Sequence, residues 1–148
     1  MKIAVAGDHA GFALKNLIVA QLKAEGYEAI DLGAYNEERS DYPDFAKLVG
    51  EAIQQGIVER GIVICGSGVG ACVAANKMHG IRACVCHDTY SAHQGVEHDD
   101  MNVLVLGGRI IGVEVAYELV RAFLAAKFNQ GERYIARLKK VEAMEKGS

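Results

Sequence analysis

The feature that most constrains this chain is a series of short apolar runs that end at glycines. Residues 61–65, Gly-Ile-Val-Ile-Cys, are continuously apolar, as in a strand buried on both faces of a parallel sheet. Three runs share this pattern and predict strands: 2–6, 61–65 and 102–106. The glycines that follow them are Gly7, Gly66 and Gly107. These runs favour a sheet that is covered by other elements on both faces.

Helical patterns fill the intervals between the strands. Apolar residues recur at helical spacing in 12–24, where Gly26 ends the pattern. Further helices are predicted from Pro43 to about Ile53, from the glycine turn to about Lys77, and at 89–97, 113–124 and about 132–145. Two more strands are predicted at 27–32 and 81–86.

This alternation of strands and helices predicts an α/β fold. We expect a single-domain, doubly wound, Rossmann-like fold in which five parallel strands form a sheet with helices on both faces. The 148 residues suffice for one domain, and no linker or low-complexity tract divides them. Residues 1–148 are therefore expected to form one unit.

Composition argues against several classes of protein. The formal net charge of −3 gives no basic field for nucleic acid, and no apolar run approaches the ~18 residues that span a bilayer. Neither nucleic acid nor a membrane is an expected partner. The four cysteines lie in apolar runs rather than in a disulfide framework, which predicts reduced thiols and a cytoplasmic protein. They are Cys65, Cys72, Cys84 and Cys86.

Four polar or reactive residues follow predicted strands and are expected to share one edge of the sheet. They are Asp8, His9, Cys65 and Arg109. In open α/β sheets, ligands bind beyond the carboxyl ends of the strands. The carboxyl edge of the sheet is therefore the expected ligand site.

The turn after Cys65 contains three glycines, Gly66, Gly68 and Gly70. Glycine leaves backbone N–H groups uncovered, and such a turn before a helix binds anions. A plainer interpretation is a tight turn that packs the helix on the strand. The spacing alone leaves Cys65 as either a nucleophile or a base. A cysteine-phosphatase loop is excluded because Ala71 stands where its arginine would be, and a P-loop because no Gly-Lys-Ser/Thr follows.

Other polar residues have both a functional and a structural interpretation. Asp8 is either half of an acid–base pair with His9 or a helix cap. His98 is either a general acid or part of a polar loop. Arg133 and Arg137 share one helix face, which is either a phosphate contact or a solvated basic surface. The histidines lack a tight ligand spacing, so no metal site is expected.

Six segments together resemble type B ribose-5-phosphate isomerase, whose wider family includes allose-6-phosphate and galactose-6-phosphate isomerases. They are Asp8-His9, Asp41-Tyr42-Pro43, 65–70 (Cys-Gly-Ser-Gly-Val-Gly), 74–77 (Ala-Ala-Asn-Lys), 80–83 (Gly-Ile-Arg-Ala) and 102–104 (Asn-Val-Leu). The likeness extends from Lys2 to about Val141. It implies a metal-free and cofactor-free aldose–ketose isomerisation of ribose 5-phosphate through a cis-enediolate, in the pentose phosphate pathway.

The resemblance also implies roles for the residues that would carry the chemistry. Cys65 matches the general base that moves a proton between C1 and C2. Some members of the family use a glutamate a few residues later, but residues 71–73, Ala-Cys-Val, contain no carboxylate. Asp8 and His98 match residues implicated in opening the sugar ring. The turn that would hold the enediolate oxygen comprises Gly66, Ser67, Gly68, Val69 and Gly70.

Further residues match contacts to the substrate. Tyr42 matches a sugar contact, and the matches to phosphate contacts are His9, Arg133 and Arg137. Arg109 matches an arginine from a neighbouring subunit, because the family forms dimers and often tetramers with the active site at the subunit interface. The helix at about 132–145 is therefore expected to contribute to phosphate binding and to this interface.

One residue departs from the family pattern. Asp99 follows His98 where the family commonly has asparagine, which donates as well as accepts hydrogen bonds. The departure leaves another substrate open, such as allose 6-phosphate or a tetrose phosphate. A non-catalytic flavodoxin-like module that binds a phosphorylated ligand is the alternative from another class.

Overall fold

A computed structural model describes residues 1–147, in which five strands form one parallel sheet. The strands are β1 (Lys2–Gly7), β2 (Glu28–Asp31), β3 (Arg60–Cys65), β4 (Ala83–Val85) and β5 (Val103–Gly107). Their order across the sheet is β2-β1-β3-β5-β4. The predicted α/β fold is confirmed, and Ser148 of the predicted 1–148 unit lies outside the described residues.

The helices lie close to their predicted positions. They are α1 (Phe12–Ala24), α2 (Tyr42–Gln54), α3 (Val69–Ala75), α4 (Thr89–Asp99), α5 (Val113–Ala125) and α6 (Glu132–Lys146). None of the helices within residues 1–147 has the length and apolar character needed to cross a membrane.

The sheet separates two apolar cores, and alternate residues of β3 supply each of them. Ile62 and Ile64 pack with apolar residues of α1, α4 and α5 on one face. Val63 and Cys65 pack with α2 and α3 on the other face. This alternation follows from the two-residue period of a strand, and it explains why β3 is apolar without a break.

The end of β3 packs unusually close to the start of α1. A Cβ atom at Gly11, the N-cap of α1, would overlap the carbonyl oxygen of Ile64. Glycine at this position lets the two backbones meet, so that the Asp8 loop lies directly beside Cys65.

Three elements near the sheet edges are shorter than predicted, and one of them is β2, which covers Glu28–Asp31 rather than 27–32. α3 ends at Ala75 rather than Lys77, and β4 has three residues rather than the six of 81–86. The reason is that the Asn76 side chain pairs with the backbone of Ala83, accepting from its N–H at 2.9 Å and donating to its carbonyl at 2.9 Å. A side chain thus replaces a strand partner at this edge.

Candidate active site

The carboxyl ends of β1, β3 and β5 bring three predicted residues of one chain together, although the resemblance implied that Arg109 comes from a neighbouring subunit. The N–H of Asp8 donates to the carbonyl of Ile64 at 3.3 Å. The carbonyl of Cys65 accepts from Gly108 N–H at 2.8 Å, and that of Gly66 accepts from Arg109 N–H at 3.0 Å. We call Asp8, His9, Tyr42, residues 65–70 and Arg109 the carboxyl-edge group.

Cys65 is the last residue of β3, and its side chain belongs to the core under α2 and α3. Only 4% of the residue is exposed. A thiol there is shielded from bulk solvent, and the glycine turn begins at the next residue.

The glycine turn is shaped for close approach. Gly68 is the N-cap of α3 with φ of 84°, a conformation that favours glycine. The hydroxyl of Ser67 accepts from Val69 N–H at 3.2 Å. A Cβ at Gly70 would lie 2.6 Å from a ring carbon of Tyr42, so the Tyr42 ring is seated directly on the turn.

Asp8 is buried, with one carboxylate oxygen accepting from Ala10 N–H at 3.0 Å and from Gly11 N–H at 3.1 Å. Because α1 begins at Phe12 with Gly11 as its N-cap, Asp8 closes the turn before the helix and is not the helix cap itself. These two bonds fix the carboxylate just beyond the end of β1.

His9 and Arg109 flank this centre. The His9 ring nitrogen Nδ1 lies 3.2 Å from both the N–H and the carbonyl of Ser40, which ties the ring to the loop before α2. The exposed Arg109 side chain lies along the turn, with its Cδ and Nη1 3.6 Å from where a Cβ at Gly66 would stand.

The other predicted residues lie elsewhere in the same chain. His98 and Asp99 form the last turn of α4 rather than a polar loop. α4 starts after β4 and runs about 16 Å back along the sheet, given its 11 residues. Next to its end, the carbonyl of Asn102 accepts from Gly61 N–H near the start of β3. His98 and Asp99 therefore lie at the amino edge of the sheet.

Arg133 and Arg137 accompany His98 rather than Cys65. Tyr134 of α6 stacks on the His98 ring at 4.7 Å between centroids. Arg137 and Asp99 line one cavity of about 770 Å³, together with Lys77 and Arg82. We call His98, Asp99, Arg133 and Arg137 the α4–α6 group. Within residues 1–147 of one chain, no hydrogen bond, ion pair or ring contact joins it to the carboxyl-edge group.

The cysteines have different environments. Burial raises the pKa of Cys72. A hydrogen bond from Cys86 lowers the pKa of Cys84 to about 7, and the same bond raises the pKa of the buried Cys86. Cys84 is exposed on the edge strand β4, whereas Cys86 is buried.

Sequence reasoning missed three contacts of the predicted residues. Ser40 binds His9, while Gln94 and Tyr134 contact His98. The four-residue spacing of Gln94 and His98 on one helix was the available signal. The other two contacts join distant segments and have no local pattern.

Comparison with known proteins identifies the class of this fold and site. Residues 3–141 match the Ribose/Galactose Isomerase family, and the chain belongs to that family. It is 47% identical over 144 residues to ribose-5-phosphate isomerase B of Escherichia coli, covering 97% of this chain and 96% of the relative. It is also 42% identical to D-erythrulose-4-phosphate isomerase of Pectobacterium atrosepticum, covering 88% of this chain and 87% of that protein.

Solved structures agree with this assignment. Ribose-5-phosphate isomerase B of Clostridium thermocellum superposes with a TM-score of 0.97 at 46% identity and covers 99% of both chains. Type B ribose 5-phosphate isomerase of Trypanosoma cruzi gives a TM-score of 0.96 at 37% identity and covers 100% of both chains. The resemblance predicted from the sequence segments is confirmed.

Proposed function

We propose that this protein interconverts ribose 5-phosphate and ribulose 5-phosphate, with Cys65 as the general base. The observation that carries the proposal is the position of Cys65, at the end of β3 and directly before the glycine turn, in a chain of the Ribose/Galactose Isomerase family. The proposed setting is the cytoplasm, as part of the pentose phosphate pathway, where thiols stay reduced.

In the isomerisation step, the Cys65 thiolate removes the proton from C2 of the open-chain aldose. The C1 carbonyl oxygen gains the negative charge, and N–H groups of the 66–70 turn stabilise the resulting cis-enediolate. The proton is returned to C1 while the hydroxyl proton moves from O2 to O1, which leaves the ketone at C2. Ser67 is part of this turn, and its hydroxyl assists the oxygen-to-oxygen transfer.

Ring opening precedes this step, since ribose 5-phosphate is mainly a furanose. His98 donates a proton to the ring oxygen O4 as the C1–O4 bond breaks. Asp8 accepts the proton of the C1 hydroxyl, and C1 becomes the aldehyde carbon. Tyr42 contacts the sugar from its seat on the turn, and the proposed phosphate contacts are His9, Arg109, Arg133 and Arg137.

We further propose a homodimer, or a tetramer, in which each active site uses residues of two subunits. The separation of the two groups supports this assembly: Asp8 and Cys65 lie at the carboxyl edge of the sheet, whereas His98 lies about 16 Å back along it. A second copy supplies the missing group to each site, with α6 at the interface. A two-fold axis gives two identical sites.

A coupled assay of Cys65→Ala tests the proposed base. Turnover of ribose 5-phosphate should fall by about 10³-fold or more, because a general base contributes roughly 10²–10⁴. Substrate binding should be retained. Cys72→Ala, which removes a half-buried thiol one turn into α3, is the matched control and should keep nearly full activity. Full activity of Cys65→Ala would reject the proposed base.

A tetrose phosphate is the second candidate substrate, favoured by the relative named D-erythrulose-4-phosphate isomerase. Comparing kcat/KM for ribose 5-phosphate, allose 6-phosphate and erythrose 4-phosphate decides between them. The same panel with Asp99→Asn shows whether this carboxylate sets the preference. A phosphorylated ligand that binds without turnover would instead favour a non-catalytic binding module.

A further inference from the structure

The His98 imidazole is held on one side by a neutral amide. The Nε2 atom of Gln94 lies 2.9 Å from Nδ1 of His98, four residues further along α4. An amide nitrogen only donates hydrogen bonds, so Nδ1 accepts. A neutral imidazole has one N–H, which must then be on Nε2. The Gln94 contact therefore leaves Nε2–H as the available proton donor.

A second histidine on the same helix has a carboxylate partner instead of an amide, which places the proton on the other ring nitrogen. The Nδ1 atom of His93 lies 2.8 Å from a carboxylate oxygen of Glu97, again at a spacing of four residues. A carboxylate only accepts hydrogen bonds, so this partner draws the proton to Nδ1. With a glutamate in place of Gln94, a neutral His98 would carry its proton on the wrong nitrogen for donation from Nε2.

The face of the His98 ring is held from a second helix. Tyr134 stacks on it with an interplanar angle of 19°. Tyr134 is 8% exposed and is the buried residue that α6 contributes within 132–146. Its hydroxyl accepts from Nη2 of Arg133 at 2.6 Å. One aromatic side chain thus lies between the proposed ring-opening residue and a proposed phosphate contact.

We infer that Gln94 and Tyr134 are positioning residues, which hold the His98 imidazole so that Nε2–H faces the ring oxygen of the sugar. This inference rests on the proposed role of His98. Gln94 fixes the tautomer and Tyr134 fixes the plane of the ring. The step they serve moves one proton from Nε2 to O4 as the C1–O4 electron pair passes to O4, while Asp8 takes the C1 hydroxyl proton. Solvent water then returns a proton to Nε2 and removes one from Asp8, which restores both groups.

Two assays separate ring opening from the later proton transfer. Turnover of ribose 5-phosphate requires both steps. Exchange of a C1 proton of ribulose 5-phosphate with D₂O, followed by proton NMR, requires Cys65 but no ring opening, because this ketose is open-chain. We expect Gln94→Met to lower the first rate about 10-fold or more and to change the second by less than about 3-fold. Gln55→Met, the same change at an exposed site, is the control.

Tyr134 variants provide a second and independent test. Tyr134→Leu removes the stacked ring and should reproduce the selective loss of ring opening. Tyr134→Phe keeps the ring but loses the contact to Arg133, so it should retain kcat and raise KM for the phosphorylated sugar. A role in folding alone would instead lower turnover and C1 proton exchange together in Tyr134→Leu, and would not separate kcat from KM in Tyr134→Phe.

The outcomes are distinguishable. Wild-type protein that does not exchange the C1 proton, or Cys65→Ala that exchanges it at the wild-type rate, would reject the proposed function and this inference with it. If Cys65→Ala loses exchange, but Gln94→Met and Tyr134→Leu lower both rates equally or neither of them, the inference alone is overturned. Circular dichroism of each variant identifies a loss of folding.

Discussion

The carboxyl-edge group and the α4–α6 group are built in different ways. The first depends on backbone: glycines let β3, α1 and Tyr42 meet, and Asp8 and Cys65 are both buried. The second consists of side chains on two helices, with Arg133, Arg137 and Asp99 exposed to solvent. The first is therefore fixed by the same packing that forms the sheet, whereas the second depends on how α6 sits against α4.

This difference predicts how substitutions in the two groups affect stability and activity. A change at the buried Asp8 or Cys65 disturbs the packed interior, so it should cost stability as well as activity. A change at the exposed Asp99, Arg133 or Arg137 leaves the core intact and should affect substrate binding or turnover with little loss of stability. The groups lie at opposite edges of one sheet, and the proposed shared active site therefore takes one group from each subunit.

Mixed dimers give the largest expected effect. Cys65→Ala and His98→Ala should each reduce turnover of ribose 5-phosphate by about 10²-fold or more. Co-expressed with different tags, they should recover about one quarter of wild-type activity, because half of randomly formed dimers are mixed and each of these has one intact site. Cys65→Ala with Asp8→Asn, both in the carboxyl-edge group, should show no recovery. Recovery in that control, or none in the first pair, would refute the shared site.

Gly11→Ala tests the backbone origin of the carboxyl-edge group. Its Cβ would overlap the carbonyl oxygen of Ile64, so the free energy of unfolding should fall by about 2–3 kcal/mol. Gly112→Ala is the matched control, since it also caps a helix but nothing lies within 4 Å of its Cβ position. Urea denaturation measures both. Equal stability of the two variants would contradict the close packing of α1 on β3.

Arg137→Ala tests the other half of the comparison. KM for ribose 5-phosphate should rise roughly 10-fold or more, as expected for a lost charged hydrogen bond, with little change in unfolding free energy. The same variant should bind free ribose nearly as well as wild type does. Lys127→Ala removes an exposed charge after α5 and should leave KM unchanged. An equal effect on both sugars would argue against phosphate binding.

The smallest effect concerns Cys84, which shares a small cavity with Gln94 and Asp99. The thiolate is the form that reacts with iodoacetamide, so the alkylation rate of Cys84 should rise through about pH 7, where its lowered pKa lies. Cys86→Ala removes the hydrogen bond that lowers this pKa and should move the midpoint to higher pH. Mass spectrometry of the labelled peptide reports the rate, and an unchanged midpoint would contradict the Cys84–Cys86 contact.

Much of the fold was predictable because its signals are local. The apolar run 61–65 and the helical spacing in 12–24 depend on neighbouring residues, and β3 and α1 form as predicted. The position of Cys65 at a strand end followed from the same signals. The early end of α3 was not predictable, because it depends on Asn76 pairing with Ala83 across the chain.

The sequence by itself determined the α/β alternation, the family and the choice of candidate side chains. The tertiary structure decided which of those side chains meet. Asp8, Cys65 and Arg109 converge because β1, β3 and β5 are parallel neighbours in the sheet, so that their carboxyl ends lie at one edge. His98 was placed at the opposite edge because α4 runs antiparallel to the strands, and its partner Tyr134 lies 36 residues away along the chain. Contacts between distant segments depend on packing that no local pattern encodes.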